Sequence, residues 1–219
     1  MLMKLIYSVL DAVRQFVKRN MHSLAIVLDK LSGGKLTPNT VTFISLAAHI
    51  PIAYFVANGQ LFLGGLLLIF FGLFDALDGA LARVQDRVSS VGMLLDSVTD
   101  RMKEITLYSG IAYYLVSTAA AQGHNVGLYG LLIAFALGGS VLVTYMNAWG
   151  EVVISGHQKA GHKVNDSLRT GLLGLEVRMF IVVVGLLTGW LTEAIIVIAI
   201  FAWVTAFERL SNILHRLKA

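Results

Sequence analysis

The sequence contains no cysteine and little charge. Without cysteine, the 219-residue chain forms no disulfide and offers no thiolate to a metal ion. Only 14% of its residues are charged, whereas 57% are hydrophobic, and its mean hydropathy is +0.76. This balance excludes an ordinary soluble domain and is typical of an integral membrane protein. The net charge is only +4, so the distribution of charge along the chain says more than its sum. No nucleic-acid partner is expected.

Six apolar stretches are long enough to span a membrane as helices. The predicted spans are 41–57, 61–86, 90–119, 127–154, 174–190 and 192–213. Residues 3–19 instead have charges on one side, which predicts either a helix along the membrane surface or a soluble helix packed on the protein. The expected fold is all-α, with an amphipathic juxtamembrane segment at 1–35 and a six-helix transmembrane domain at 36–219.

Basic residues predict how these helices are oriented. All 17 Lys and Arg residues fall on one side of the six-span topology; they lie within 4–35, 83–103, 159–178 and 209–218. The loops on the opposite side contain none. Lys and Arg are enriched in cytoplasmic loops, so both termini and the loop before Ser90 are expected in the cytoplasm. The protein is therefore predicted to be a multi-pass protein of the cell membrane.

Four aspartates interrupt these apolar stretches. Asp75 and Asp78 lie near the end of the second predicted span, and Asp96 and Asp100 lie near the start of the third. Spacings of three and four residues put each pair on one helical face. Carboxylates that meet in a low dielectric must be neutralised by protons or cations. Oxygen ligands suit Mg2+, Mn2+ or Ca2+, so the pattern predicts a divalent-metal site, with two ions expected.

Arg83 is the one cation that the sequence suggests among these acids. Its guanidinium could bind phosphate through two hydrogen bonds or could pair with Asp78 or Asp86, and the sequence leaves both interpretations open. Gly79 and Gly92 either leave room for a ligand or allow close helix packing. Carboxylates, divalent metal and arginine together favour transfer of a phosphoryl-type group. Asp75 is expected roughly 21 Å into a hydrocarbon core of about 30 Å, in a pocket open to the cytoplasm.

The segment from residue 75 to residue 100 follows one fixed pattern throughout. The pattern reads D-x2-D-G-x2-A-R-x8-G-x3-D-x3-D. It resembles the signature of the CDP-alcohol phosphotransferases, and the six-helix layout is similar to that family. The resemblance implies an enzyme of phospholipid biosynthesis, embedded in membrane lipids as a homodimer. It also implies that a CDP-linked lipid such as CDP-diacylglycerol gives its phosphatidyl group to a small alcohol and releases CMP.

The resemblance also implies roles for individual residues. Asp75, Asp78 and Asp96 would bind Mg2+ or Mn2+ ions that hold the donor's diphosphate. Asp100 would contribute to the metal site and act as the general base that takes the proton of the acceptor hydroxyl. The residues implied in CDP binding are Asp75, Asp78, Gly79, Ala82, Arg83 and Gly92.

Within the family, the chain is most similar to microbial phosphatidylinositol-phosphate and archaetidylinositol-phosphate synthases. Those enzymes hold the acceptor's phosphate with basic residues in the fourth span, where this chain has Asn147 and Trp149. That difference argues against an inositol-phosphate acceptor. The candidate acceptor-binding residues are Asn147, Glu151 and Arg178.

A divalent-cation or proton-coupled transporter is the alternative function, because buried acids also mark ion paths. The acids nevertheless cluster toward one face of the membrane, away from its midplane. No paired helix breaks occur in matching halves of the sequence, as they do in many transporters. Both observations favour the enzyme.

Overall fold

Every regular element in the described part of the chain is an α-helix, which confirms the all-α prediction. The computed structural model describes the backbone of residues 2–157 and 174–218, and the side chains of residues 15–150, 152–153, 174–215 and 217. Within these residues the helices are α1 (Leu2–Ser32), α2 (Pro38–Ala57), α3 (Leu61–Val84), α4 (Ser90–Ala121), α5 (Val126–His157), α6 (Leu175–Thr188) and α7 (Leu191–Lys218).

In the described part of the chain, four helices are long and apolar enough to cross a membrane, and they coincide with four of the six predicted spans. They are α2, α3, the Val126–Gly150 part of α5 and the Leu191–His215 part of α7. Helix α4 differs because it carries five charged residues between Asp96 and Glu104. Helix α6 has 14 residues, a length of about 21 Å at 1.5 Å per residue. Spanning by α4 and α6 therefore stays a prediction.

A short connection joins α3 to α4. Asp86 adopts a left-handed backbone conformation with φ 53°, and the Arg87 backbone N–H donates to the Ala82 carbonyl at 2.8 Å, which ends α3. Ser89 then caps α4, because its Oγ accepts a hydrogen bond from the Gly92 backbone N–H at 3.1 Å. The aspartates of both helices are consequently separated by a single tight turn.

The chain packs as two units. The first contains Met1–Tyr54 and Leu67–Leu107, and the second contains Phe55–Leu66 and Tyr108–Ala219. In the second unit, α5 packs closely on α7, since a Cβ on Gly139 would lie only 2.9 Å from the Trp203 ring. These units do not test the predicted domain boundary at residue 35, which stays a prediction.

Helix α1 belongs to the first unit and packs against the end of α3. Ala25 is fully buried in an apolar cluster with residues of α2 and α3. The Gln85 side-chain amide donates to Asp29 Oδ1 at 2.7 Å and to the Leu36 carbonyl at 2.8 Å. The second half of α1 therefore packs on the protein, while the side chains of residues 3–14, which carry most of the predicted amphipathic pattern, lie outside the described residues.

Candidate active site

The aspartates of α3 face hydroxyl groups of α2. Thr42 Oγ1 donates to Asp78 Oδ2 at 2.6 Å, and Ser45 Oγ donates to Asp75 Oδ1 at 3.1 Å. Thr42 and Ser45 are three residues apart on α2, and Asp75 and Asp78 are three residues apart on α3. The two hydroxyls therefore share one face of α2, and this face meets the face of α3 that carries both carboxylates. Asp78 is only 6% exposed, and the Thr42 hydroxyl supplies a hydrogen bond that its buried carboxylate needs.

Lys103 of α4 joins the two pairs of aspartates. Its Nζ lies 2.5 Å from Asp75 Oδ1 and 3.2 Å from Asp100 Oδ1. The prediction that Arg83 is the one cation among the acids is therefore wrong. Lys103 follows Asp96 by seven residues and Asp100 by three, so helical spacing alone places it on the same face as both acids.

The four aspartates form one electrostatic group, here called the acidic site. The charges of Asp75 and Asp96 act on Asp78 and also on Asp100. Among the side chains that the structure describes, no three carboxylates or imidazoles stand close enough to hold one metal ion together. The donor chemistry still fits a hard divalent ion, because the available oxygens are carboxylates and two of them already hold a cation, the Lys103 ammonium.

Arg83 and Gly79 lie together on α3. Arg83 is exposed, and within the described chain it makes no ion pair, so its pairing with Asp78 or Asp86, one of the two interpretations left open, is not observed. A Cβ added to Gly79 would meet only the Arg83 guanidinium, at 3.6 Å and 3.9 Å. No neighbouring helix approaches Gly79 that closely, which favours the interpretation that this glycine leaves space for a ligand.

The remaining predicted residues of the CDP site have different surroundings. Ala82 is half-buried on α3. Gly92 lies in the first turn of α4, and a Cβ there would meet only the capping Ser89 Oγ, at 3.4 Å. The capping hydrogen bond gives Gly92 a local structural role that its spacing in the sequence does not suggest.

The candidate acceptor residues lie in the second unit. Arg178 of α6 is only 1% exposed, and its Nη2 donates to Thr144 Oγ1 of α5 at 3.5 Å. The Asn147 side-chain oxygen on α5 is buried without a hydrogen-bond partner among the described residues. Glu151 lies in α5, but its side chain is outside the described residues.

A second buried arginine in this unit was not identified from the sequence as a site residue. Arg209 of α7 is 2% exposed, and its Nη1 donates to the Val143 carbonyl at 3.0 Å. Its position near the end of an apolar helix also suits a residue that anchors the helix at the cytoplasmic surface. The burial of Arg209 distinguishes it from such an anchor. The sequence does not reveal this burial, because it depends on how α7 packs against α5.

Most of the sequence matches a known protein family. The family model for CDP-alcohol phosphatidyltransferases matches residues 35–208, which include helices α2 to α6 and most of α7. The chain belongs to this family. As a CDP-alcohol phosphotransferase, it is an enzyme of phospholipid biosynthesis that transfers a lipid phosphate group from a CDP-linked lipid to an alcohol.

Several relatives in the family align over most of the chain. Archaetidylinositol phosphate synthase of Pyrococcus horikoshii is 28% identical over 95% of this chain and 98% of that protein. Archaetidylinositol phosphate synthase of Methanothermobacter thermautotrophicus is 30% identical over 82% of this chain and 83% of that protein. Phosphatidylinositol phosphate synthase of Corynebacterium glutamicum is 30% identical over 84% of this chain and 77% of that protein.

Solved structures share the fold of this CDP-alcohol phosphotransferase. The crystal structure of Mycobacterium tuberculosis phosphatidylinositol phosphate synthase with CDP-DAG bound has a TM-score of 0.73 at 24% identity, covering 89% of this chain and 94% of that one. The structure of the same synthase with manganese and citrate has a TM-score of 0.71, covering 89% and 88% of the two chains. At this level of identity the likeness concerns the fold.

Proposed function

We propose that the acidic site holds the CDP-linked donor through divalent metal and that Asp100 is the general base of the transfer. The observation that supports this most directly is the juxtaposition of Asp75 and Asp100, which come from two helices and share one cation. The relatives include a synthase with CDP-DAG bound and the same synthase with manganese. Asp75, Asp78, Asp96 and Asp100 would hold one or two Mg2+ or Mn2+ ions.

The residues of the chain have separate tasks in this mechanism. Thr42 and Ser45 orient Asp78 and Asp75 through the hydrogen bonds described above. Bound Mg2+ or Mn2+ supplies positive charge that offsets the diphosphate and makes CMP a better leaving group. Asp100 accepts the proton of the acceptor hydroxyl as that oxygen attacks the donor's lipid-linked phosphorus. The exposed Arg83 guanidinium binds the diphosphate through paired hydrogen bonds.

The space around the motif suits the nucleotide. Gly79 leaves an opening on α3 beside Arg83, and we assign it, with Ala82 and Gly92, to the cytidine end of the donor. In this arrangement a ligand, rather than a helix, fills the volume that a side chain on Gly79 would take. The lipid end of the donor is expected among membrane lipids, which suits helices as apolar as α2 and α3.

The acceptor is proposed to carry an anionic group, as an alcohol phosphate does. The support is chemical: the second unit buries two guanidinium groups, Arg178 and Arg209, and a guanidinium group matches the geometry of a phosphate through paired hydrogen bonds. The relatives named above make inositol-phosphate lipids, whereas Asn147 and Trp149 replace basic residues of the fourth span. We therefore expect an alcohol phosphate, with Arg178 binding its phosphate and Asn147 and Glu151 contacting its hydroxyl groups.

The membrane arrangement completes the proposal. Helices α4 and α6 are proposed to span together with the four candidate helices, which gives six spans and two cytoplasmic ends. The acidic site then opens to the cytoplasm, where CMP is released. A homodimer is what the resemblance to the family implies.

The test is release of CMP by the purified protein from CDP-diacylglycerol with Mg2+ or Mn2+. Inositol phosphate, glycerol phosphate, serine and free polyols are compared as acceptors, with labelled lipid product measured in parallel. Metal-dependent CMP release that requires an alcohol phosphate is the expected result. Turnover with none of these alcohols, together with metal flux into vesicles, would favour the transporter instead.

A further inference from the structure

Lys103 is a buried ammonium group with acidic partners on two helices. Its side chain is only 4% exposed, whereas Asp75 and Asp100 are 36% and 25% exposed. A buried ammonium is stable only when it is paired. Here both partners are residues assigned above to the divalent metal, and one of them, Asp75, also accepts the Ser45 hydrogen bond through the same Oδ1 atom.

A divalent ion bound by Asp75 and Asp100 would meet the Lys103 ammonium, which already contacts one oxygen of each carboxylate. Nζ contacts Oδ1 of each carboxylate, at 2.5 Å and 3.2 Å. An ammonium and a divalent cation on the same oxygens would repel each other strongly in a site of low dielectric. The lysine side chain has a flexible four-carbon stem, so its Nζ can move without any change in the helix backbone.

We propose that Lys103 is an internal competitor of the divalent metal. In the metal-free enzyme its ammonium holds Asp75 and Asp100 together, and it leaves those two oxygens when the ion binds. This inference rests on the proposed metal site. Its consequence is that the chain binds free metal more weakly than the four carboxylates alone would, while the metal-free fold is protected from carboxylate repulsion.

The competition is measured by titrating the purified full-length protein with Mn2+ alone, with no donor, and following bound Mn2+ by electron paramagnetic resonance. Lys103→Met removes the ammonium and keeps the length of the stem. We expect it to lower the Kd for Mn2+ tenfold or more, which corresponds to about 1.4 kcal/mol. Lys103→Arg keeps the charge and should give no such tightening.

The matched control is Lys30→Met. Lys30 is an exposed lysine at the end of α1, and its removal subtracts the same net charge from the protein. We expect the Kd for Mn2+ of this variant to equal that of the wild type. An equal gain in affinity in both Met variants would show that the gain comes from the net charge of the protein, and it would overturn the proposal.

Thermal unfolding provides a second readout. In EDTA, Lys103→Met should unfold at a lower temperature than the wild type, and saturating Mn2+ should raise its Tm by more than it raises that of the wild type. Should Lys103→Met not fold without metal, Lys103→Gln gives the same comparison, because its amide keeps hydrogen bonding without the charge.

The outcomes separate this inference from the proposed function. Wild-type protein that binds Mn2+ while Lys103→Met binds it equally or more weakly overturns the competition and leaves the metal site standing. Wild-type and variant proteins that both fail to bind Mn2+, with or without CDP-diacylglycerol, overturn the metal site itself.

Discussion

Three of the four carboxylates in the acidic site are held by a neighbour that the metal motif does not include. Thr42 holds Asp78, Ser45 and Lys103 hold Asp75, and Lys103 also holds Asp100. At the scale of the residue, these contacts fix the carboxylate oxygens before any ligand arrives. The neighbours should therefore influence metal binding and catalysis even though they are not part of the motif.

Asp100→Asn is expected to abolish transfer while metal and donor binding largely survive. The carboxamide keeps the size of the side chain but cannot accept the acceptor's proton, and general bases typically contribute about 10²- to 10⁴-fold. The measurement is the transfer rate at saturating Mn2+, alongside binding of labelled CDP-lipid. Asp86→Asn, at an exposed aspartate in the turn before α4, is the control. Binding lost as completely as turnover would show that Asp100 acts chiefly as a metal ligand.

Thr42→Val is expected to weaken the site through Asp78. Valine keeps the shape of threonine but leaves the buried carboxylate without its 2.6 Å hydrogen bond, which costs about 1–3 kcal/mol. We expect a lower Tm in EDTA and, because the site is weakened, a higher Kd for Mn2+. Thr106→Val is the control, because the Thr106 hydroxyl bonds only to the Met102 carbonyl of its own helix. Equal effects of the two substitutions would argue that the Thr42 hydroxyl does not position Asp78.

The sequence reveals the acids of the site better than their partners. Spacing along one helix was enough to pair Asp96 with Asp100, and the same spacing also identifies Lys103. Thr42 and Ser45 lie more than 25 residues before the aspartates that they contact. Their role depends on which faces of α2 and α3 meet, and that information is absent from the pattern of either helix alone.

At the scale of the element, the ends of the helices follow from local signals. Helix α1 ends at Ser32, where Gly33 and Gly34 both adopt positive φ angles, 58° and 74°. The predicted span 90–119 corresponds to α4, Ser90–Ala121. Local signals left open whether α1 packs on the protein; its attachment involves the hydrogen bonds of Gln85 and the burial of Ala25.

Gln85→Met is expected to loosen α1 from the end of α3. The substitution removes one hydrogen bond to a carboxylate and one to a backbone carbonyl. We expect the free energy of unfolding to fall by about 2–4 kcal/mol. The measurement is unfolding in detergent, followed by the rate of proteolysis within α1. Gln122→Met, at an exposed glutamine after α4, is the control. Unchanged stability and proteolysis in Gln85→Met would show that apolar packing around Ala25 holds α1 by itself.

At the scale of the whole molecule, composition and charge predict the class of protein and its orientation. The apolar helices and the family agree with a membrane enzyme. The division into two units was not predicted, because it depends on which helices pack together, and a list of apolar spans contains no such information. The number of spans depends on α4 and α6, so it calls for a direct experiment.

Cysteine labelling tests the predicted orientation and whether α4 spans the membrane, and the chain suits it because it has no cysteine of its own. Gln60→Cys and Gln122→Cys are expected to react with a membrane-impermeant maleimide added outside intact cells. Arg87→Cys, in the turn between α3 and α4, should react only after the cells are permeabilised. Labelling of Arg87→Cys from outside would show that the orientation is the opposite of the predicted one. Protection of only one of the two glutamine positions would show that α4 does not span the membrane.

The tight turn between α3 and α4 has a consequence for the history of such enzymes. All four carboxylates lie on one uninterrupted hairpin of chain, so a single recombination event can carry the complete acidic set into a new sequence. The new sequence would still have to supply hydroxyl groups like those of Thr42 and Ser45, because they hold Asp78 and Asp75.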